Sequence, residues 1–587
     1  MKCTRANSLE HDIDSRISES VISCDDIESR LSNTESSLLS STQNSSEEEI
    51  NSSHHNFNNL LITNHHTNVG YLRSSFNNIH NCNNYEMYPK TRQDCCRCGS
   101  GVILVTTGVI FILGSIFSLI YTPFEIAMIE RLRMTPGLPP YAWWKVPPDE
   151  VLLKFYIFNI TNIEEFTNGT DTKLKIQEIG PIIYREKLTH SNVTFNENGT
   201  MTYIAKREAI YLPEMNTIDI NSTLIVPNFA VLGGASFMAD TPFLTRFGLN
   251  LLMRRLDSQP YKIISIYDFL WNMTDPLLDV GSSLLPSIIP TKNIGILNMF
   301  YHDFVDQVTV RIGTKYGNEN FFKIDTFRGS QYIFGDPDIC EDKITGSTEG
   351  VLYNQFITKQ SELLYWRKSV CRVMPLNYEH DTEKYGISAY KFTLRNDTLY
   401  RKNGSDCYTS ESMPLLDGLS DASMCYFDFP LVSSFPHFLV GDKNIKSLVE
   451  GLKPNNSLHS SYIIVDPVTG IPLEGHARLQ SNLLVKKLSG FSSKLDKYSD
   501  SVIPMFWIEY HQVGLPWYVQ YLIIFTVQIL PNIQYFGIVF FIILGLYLVY
   551  SGLSRRKVVK KTEKCDLYIQ NQKLQFEQEN MLKQCTT

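Results

Sequence analysis

"GVILVTTGVIFILGSIFSLIY" (101–121) carries no charged residue and begins a hundred residues into the chain. An apolar run of about 20 residues crosses the hydrocarbon core as a helix. A cleaved signal peptide is excluded by position, because such segments occupy roughly the first 15 to 30 residues. The run therefore reads as a retained signal-anchor. A second uncharged stretch extends from Gln512 to Ser554, and within it "IQYFGIVFFIILGLYLVYSGL" (533–553) meets the same length requirement.

Basic residues beside a span stay in the cytosol. Lys90, Arg92 and Arg97 precede the first run; Arg555, Arg556, Lys557, Lys560, Lys561 and Lys564 follow the second. Both termini are then cytosolic, and everything between the spans is lumenal or extracellular. The uncharged lead-in "PWYVQYLIIFTVQILPN" (516–532) admits a third crossing. Gln520, Gln528 and a break at Pro531-Asn532 favour instead an interfacial helix or a floor beneath the lumenal domain. The expected organisation is a disordered tail (1–99), a first transmembrane helix (100–122), a lumenal domain (123–532), a second transmembrane helix (533–553) and a cytosolic tail (554–587).

The 587 residues are 43% hydrophobic with a net charge of −8, which excludes only a wholly disordered chain. Residues 1–89 are the polar exception, with tracts such as "SSLLSSTQNSSEEEINSSHHNFNN". Too little apolar surface remains there to offset chain entropy, so this tail is expected to be disordered. Its paired histidines (His54-His55, His65-His66) sit in low-complexity sequence, where a metal site has no fixed geometry. Acceptor triplets at Asn44 and Asn51 are expected to stay unmodified, since the tail does not enter the lumen. "CCRC" (Cys95, Cys96, Cys98) lies just before the first span. With Cys82 it fits no standard zinc spacing, and juxtamembrane cysteines read as S-palmitoylation acceptors. In the last segment, "EQENML" (577–582) loosely resembles an acidic dileucine sorting signal, with Met581 for the first leucine.

Between the spans lie nine Asn-x-Ser/Thr triplets, at Asn159, Asn168, Asn192, Asn198, Asn221, Asn272, Asn396, Asn403 and Asn455. Their presence in a lumenal region predicts that these asparagines lie at the surface and that several carry glycans. Four cysteines occur here, Cys340, Cys371, Cys407 and Cys425, enough for two disulfides in any of three pairings. Strand-like patterns dominate: "TKLKIQEIGPIIYREKL" broken at Gly180-Pro181, "NVTFNENGTMTYIA" with an Asn198-Gly199 turn, "DQVTVRI", "SYIIVD", "NLLVKK" and "SVIPMFWIEY". Helical patterns cluster in "PFLTRFGLNLLMRRLD" and "SIYDFLWNMT". The region reads as one large α+β domain of mainly antiparallel strands with a helical insertion. It offers no nucleophile elbow, zincin helix or phosphate loop. Single histidines such as His302, His437 and His476 read as structural. Catalysis is disfavoured, and no cofactor or metal is implied.

The ordered set "WWKVPPDEVLLKFYIFNITNIEEF", "KIQEIGPIIYRE", "VPNFAVLGGAS", "DFLWNMTDPLL", "IDTFRG", "FPHFL", "DPVTGIPLEGHARLQSNLLV" and "VIPMFWIEY" resembles the class B scavenger receptors. That group includes a lysosomal integral membrane protein and the insect sensory neuron membrane proteins. The likeness covers roughly 100–555. It implies a large antiparallel β-barrel-like domain capped by a membrane-distal helical bundle, with an apolar tunnel toward the bilayer. It also implies the bridges Cys340–Cys407 and Cys371–Cys425. The third, short-loop bridge of many relatives has no counterpart, because this chain reads Cys407-Tyr408-Thr409.

Carried over by position, the bundle falls near 226–257. There Arg254 and Arg255 are candidate contacts for carboxylate or phosphate heads. Phe243 and Phe247, one turn apart, are candidates for an apolar mouth, with core packing as the plainer reading. The partners implied are lipids, lipoproteins or anionic phospholipid surfaces, and no nucleic acid. The leading functional expectation is a receptor that passes lipid to the bilayer. The alternative is a lysosomal sorting receptor that holds a hydrolase through the bundle. A two-span ligand-gated channel is disfavoured by the few lumenal cysteines and the lack of ionisable residues in either span. Plasma membrane, endosome and lysosome, and a homo-oligomeric state, stay open.

Overall fold

Helix Arg92–Ile120 contains the first apolar run. In hydrocarbon every polar group needs an internal partner; Ser115 donates its hydroxyl to the Phe111 carbonyl at 2.7 Å. Thr122 then caps helix Pro123–Arg133 reciprocally with Glu125, and Pro123 takes the first turn, where its missing N–H costs nothing. The computed structural model describes residues 92–584 apart from 288, 302–305, 402–406 and 409–413. The expectations for the acidic tail, its histidines, Asn44, Asn51, Cys82, His302 and Asn403 lie outside the described residues, as do the side chains of Cys95, Cys96, Cys98, Met581 and Leu582.

Among the described residues, fourteen strands form one large sheet. An inner strand, Glu150–Ile160, pairs antiparallel with the last strand, Ser501–Gly514, and with the long strand Leu174–Phe195. "KFYIF" explains the position. Leu152, Leu153, Phe155, Ile157, Phe158 and Ile160 are all buried, each stabilising by roughly 1.5–3 kcal/mol over an exposed state. The expected break at Gly180-Pro181 is a shift of register within one continuous strand. Pairing steps from Phe155–Ile182 to Ile157–Ile179, and a Cβ on Gly180 would sit 2.6 Å from the Phe155 carbonyl oxygen. Gly199, at φ 83°, makes the expected turn into Thr200–Tyr211.

The path outward from these three strands runs one way through Thr200–Tyr211 and Asp306–Arg311 to Ile324–Phe327. The other way it passes Pro472–Val485, Tyr462–Val465, Ile387–Leu394 and Arg372–Lys384 to Leu363–Arg367. One segment bonds both end strands. Ile324 N–H donates to Ser347 and Gly346 N–H donates to Ile324, while Thr348 N–H donates to Leu364 and Trp366 N–H donates to Thr348. The bridges Cys340–Cys407 and Cys371–Cys425 tie down the loops beside this seam.

A small antiparallel pair, Thr223–Pro227 with Tyr261–Ser265, encloses the inserted helix Phe243–Arg255, and helices Ile266–Trp271 and Pro276–Leu284 follow it. They reach the sheet through aromatic packing: Phe269 stands edge-on to Phe229 and to Phe506.

The lead-in to the second span does not break at Pro531-Asn532. Trp517–Ile524, a π-helical stretch Phe525–Ile529 and Leu530–Gln584 run on without interruption. The wider turn ahead of Pro531 accommodates a residue that cannot donate in the normal ladder. The lead-in also docks on the domain, burying Val519 and Ile523 against Ile387, Ala389 and Leu473. Gln528 donates to the Gly386 carbonyl at 2.8 Å. Trp517, Tyr521 and Phe525 face outward, as aromatic side chains do at a membrane surface.

Candidate functional site

Strand Ser501–Gly514 connects the interior to the membrane helices. Along it, Met505, Phe506 and Ile508 line a cavity of about 280 Å³, and Gln512 lines another of about 350 Å³. Helix Trp517–Ile524 begins three residues after the strand ends. The two cavities thus lie in order toward the spans. The first is walled by Phe229, Phe237, Leu252 and Leu277 from the inserted helices, and small Ala477, Ser481 and Ser433 face it from the strands. Larger side chains at those positions would fill the space. The second is lined by Val146, Val151, Leu188 and Met374, with polar Arg185 and His476.

A third pocket of about 30 Å³ touches both, and Arg367 and Tyr510 line all three. The junction is a charged cluster. Glu186 receives Arg207 at 2.5 Å, Arg367 at 3.2 Å and the Tyr301 hydroxyl at 2.5 Å. Arg367 also lies 3.5 Å over the centre of the Tyr510 ring, and Tyr203 donates to Glu349 at 2.7 Å. Burial alone would raise the Glu186 pKa, but the charges of Arg367 and Arg207 and the Tyr301 hydroxyl hold it at about 2. Burial pushes Tyr301 well above the usual phenol range. A lone charge here would cost several kcal/mol; shared between two guanidinium groups, the carboxylate stays ionised.

A second cluster gathers His476, Glu509 and His511 within ligand reach of one another. Two cations already occupy it. Lys154 Nζ lies 2.7 Å from Glu509 and 2.9 Å from His511 Nδ1, while Arg478 bonds both Glu509 and His476 Nδ1. Burial, with His476 and Lys154 nearby, pushes His511 down to about 4. A metal ion would have to displace both, so the donor set does not fit one. His437 is held between Glu178, at 2.6 Å, and the Lys453 N–H.

Arg254 and Arg255 end helix Phe243–Arg255 and are exposed. Phe243 and Phe247 stack on each other with centroids 6.0 Å apart, and they are 65% and 50% exposed. Core packing is therefore the wrong reading, and neither ring lines the cavities. With Leu244 and Leu251, also exposed, they form an apolar strip leading to the two arginines. Asn168, Asn192, Asn198, Asn221, Asn272, Asn396 and Asn455 are exposed. Asn159 departs from the surface expectation: it is half-buried, and its side-chain oxygen accepts from the Ile225 N–H.

Sequence reading misses the junction altogether. Glu186, Arg207, Tyr301, Arg367 and Tyr510 belong to five separate segments, and no local spacing joins them.

The CD36 family model matches residues 101–555, which takes in both apolar runs and every cavity residue named above. The chain belongs to the CD36 family. Scavenger receptor class B member 1 of Rattus norvegicus is 29% identical over 419 residues, 70% of this chain and 79% of the relative. Lysosome membrane protein 2 of the same organism is 27% identical over 418 residues, 68% and 82% respectively. These CD36-family relatives carry the names of a receptor and a membrane protein, not of an enzyme. The two apolar helices fit a two-pass membrane protein of this family.

Proposed function

We propose that the chain is a two-pass scavenger receptor that takes lipid from lipoproteins or other lipid-bearing particles and passes it through its interior to the bilayer. One observation carries this: the apolar cavities follow a single strand that ends three residues before the membrane helix. An interior route spares an acyl tail contact with water, worth about 0.8 kcal/mol per methylene. On this reading the Gly346–Thr348 segment stitches the sheet's end strands into a barrel, and the inserted helices form its membrane-distal cap. Phe243 and Phe247 enter the particle's lipid, while Arg254 and Arg255 hold anionic heads. Both tails are cytosolic, Cys95, Cys96 and Cys98 carry acyl groups, and the exposed lumenal asparagines carry glycans. Expression in cells should raise lipid uptake from labelled lipoprotein in proportion to surface display. A flat response despite display counts against the reading.

Sorting of a lysosomal hydrolase is the second reading, favoured by "EQENML" and by the likeness to lysosome membrane proteins. Replacing Met581 and Leu582 with alanine should then move the protein from lysosomes to the cell surface.

A further inference from the structure

The first cavity is apolar along its walls, yet its junction with the second is not. Among the described residues, Arg367 is the one cation that lines the first cavity, the small pocket and the second cavity. A guanidinium offers five N–H donors. One nitrogen of Arg367 bonds Glu186, at a long 3.2 Å, and the Tyr510 side chain both covers the flat face and hydrogen-bonds to the guanidinium. Its side chain keeps 14% exposure, although it stands at the meeting of interior spaces. Glu186, in contrast, is saturated by Arg207, Arg367 and Tyr301. The junction therefore holds an ionised acceptor that needs nothing more and a cation with donors to spare.

We propose that Arg367 is a head-group site inside the cavity system, taking a single-chain lipid by its anionic head while the tail lies in the cavity walled by Phe229, Leu252 and Phe506. The inference rests on the reading that lipid enters this interior. An incoming carboxylate presents two oxygens to the guanidinium edge, a bidentate fit that an alcohol or sterol hydroxyl lacks. Arg207 already serves Glu186 at 2.5 Å and Glu349 at 3.9 Å, so it holds the cluster together when Arg367 turns to the ligand. The site selects by charge at the inner end of the first cavity, whose other lining residues carry no charge.

The test uses detergent-purified full-length protein, with binding of palmitate, hexadecanol and a lysophosphatidic acid measured on the parent and on Arg367→Gln. Palmitate binding is expected to weaken at least tenfold in the variant, while hexadecanol changes less than threefold. Loss for lysophosphatidic acid as well would assign the site to anionic heads in general; loss for palmitate alone would assign it to carboxylates. Equal weakening for all three probes overturns the proposal and leaves interior lipid binding intact. Failure of the parent to bind any probe sinks the reading beneath it instead. Should Arg367→Gln not fold, Arg367→Lys keeps the charge without the bidentate edge. It must then lose palmitate preference over hexadecanol, and an unchanged preference overturns the proposal.

Discussion

Gly108 and Gly545 bring the two apolar helices together backbone to backbone. A Cβ on Gly108 would lie 2.6 Å from the Gly545 carbonyl oxygen, and one on Gly545 would lie 2.8 Å from the Gly108 carbonyl oxygen. One heptad away, Gly101 and Gly552 repeat the contact, with a Cβ on Gly552 2.7 Å from the Gly101 oxygen. In lipid, where no hydrophobic force drives helices together, such close approach supplies the packing.

Gly108→Leu should therefore pry the spans apart and cost about 1–3 kcal/mol, as overpacking does. Gly114, whose Cβ would meet nothing within 4 Å, is the control. In detergent-purified protein the melting temperature should fall for Gly108→Leu and stay put for Gly114→Leu. Equal melting temperatures for both variants would refute the pairing.

Removing Cys371–Cys425 or Cys340–Cys407 releases loops of 54 and 67 residues. Loss of a native bridge typically costs about 2–5 kcal/mol. Cys371→Ser and Cys340→Ser should each lower lumenal-domain stability and cell-surface display, to be read by thermal shift and by surface labelling.

Acid should act through histidine first. His190 is buried against Trp144 and Tyr203, and burial pushes its pKa down to about 3. Between the ordinary histidine value of about 6.5 and that point, the unfolded chain binds a proton that the native chain refuses. The stability it contributes is complete above about pH 6.5 and is lost as pH falls, by up to about 1.4 kcal/mol per pH unit. His459 and His511, both pushed to about 4, act in the same direction. Glu186 adds its own loss only below about 4.5, the ordinary carboxyl range, as pH falls toward 2. Thermal shift between pH 7 and 5 should show this slope, and His190→Gln should make it shallower, with the His459 and His511 share left.

The strip Phe243, Leu244, Phe247 and Leu251 is exposed, so polar replacements there should leave folding within about 0.5 kcal/mol. Phe243→Ser with Phe247→Ser should instead weaken binding to lipoprotein particles several-fold. Arg254→Ala with Arg255→Ala should weaken binding to anionic vesicles and reduce its salt sensitivity. Vesicle co-sedimentation at two salt concentrations separates these effects.

Local signals were readable in this chain and long-range ones were not. The spans, the Gly199 turn, the strand "SVIPMFWIEY" and the helix around Phe247 follow from charge, turn chemistry and periodicity, each within a short window. Pro531 misled because a proline ends most helices, whereas here the preceding π turn carries the helix through. Phe247 misled because an aromatic at helical spacing usually packs inward, and this one does not. The Glu186 cluster was illegible for a geometric reason. Its partners Arg207, Tyr301, Arg367 and Tyr510 come from three other strands and from helix Ile296–Tyr301, all distant in the chain, and only the folded arrangement brings them together.

Ala477 borders both large cavities, so a bulky side chain there would fill the space between them and block the proposed route. Transfer of a fluorescent lipid from labelled lipoprotein into cells expressing Ala477→Trp is the decisive measurement, with surface display and particle binding read in parallel. Transfer should drop at least tenfold with display and particle binding unchanged. Undiminished transfer by a displayed, plugged protein would contradict an interior route.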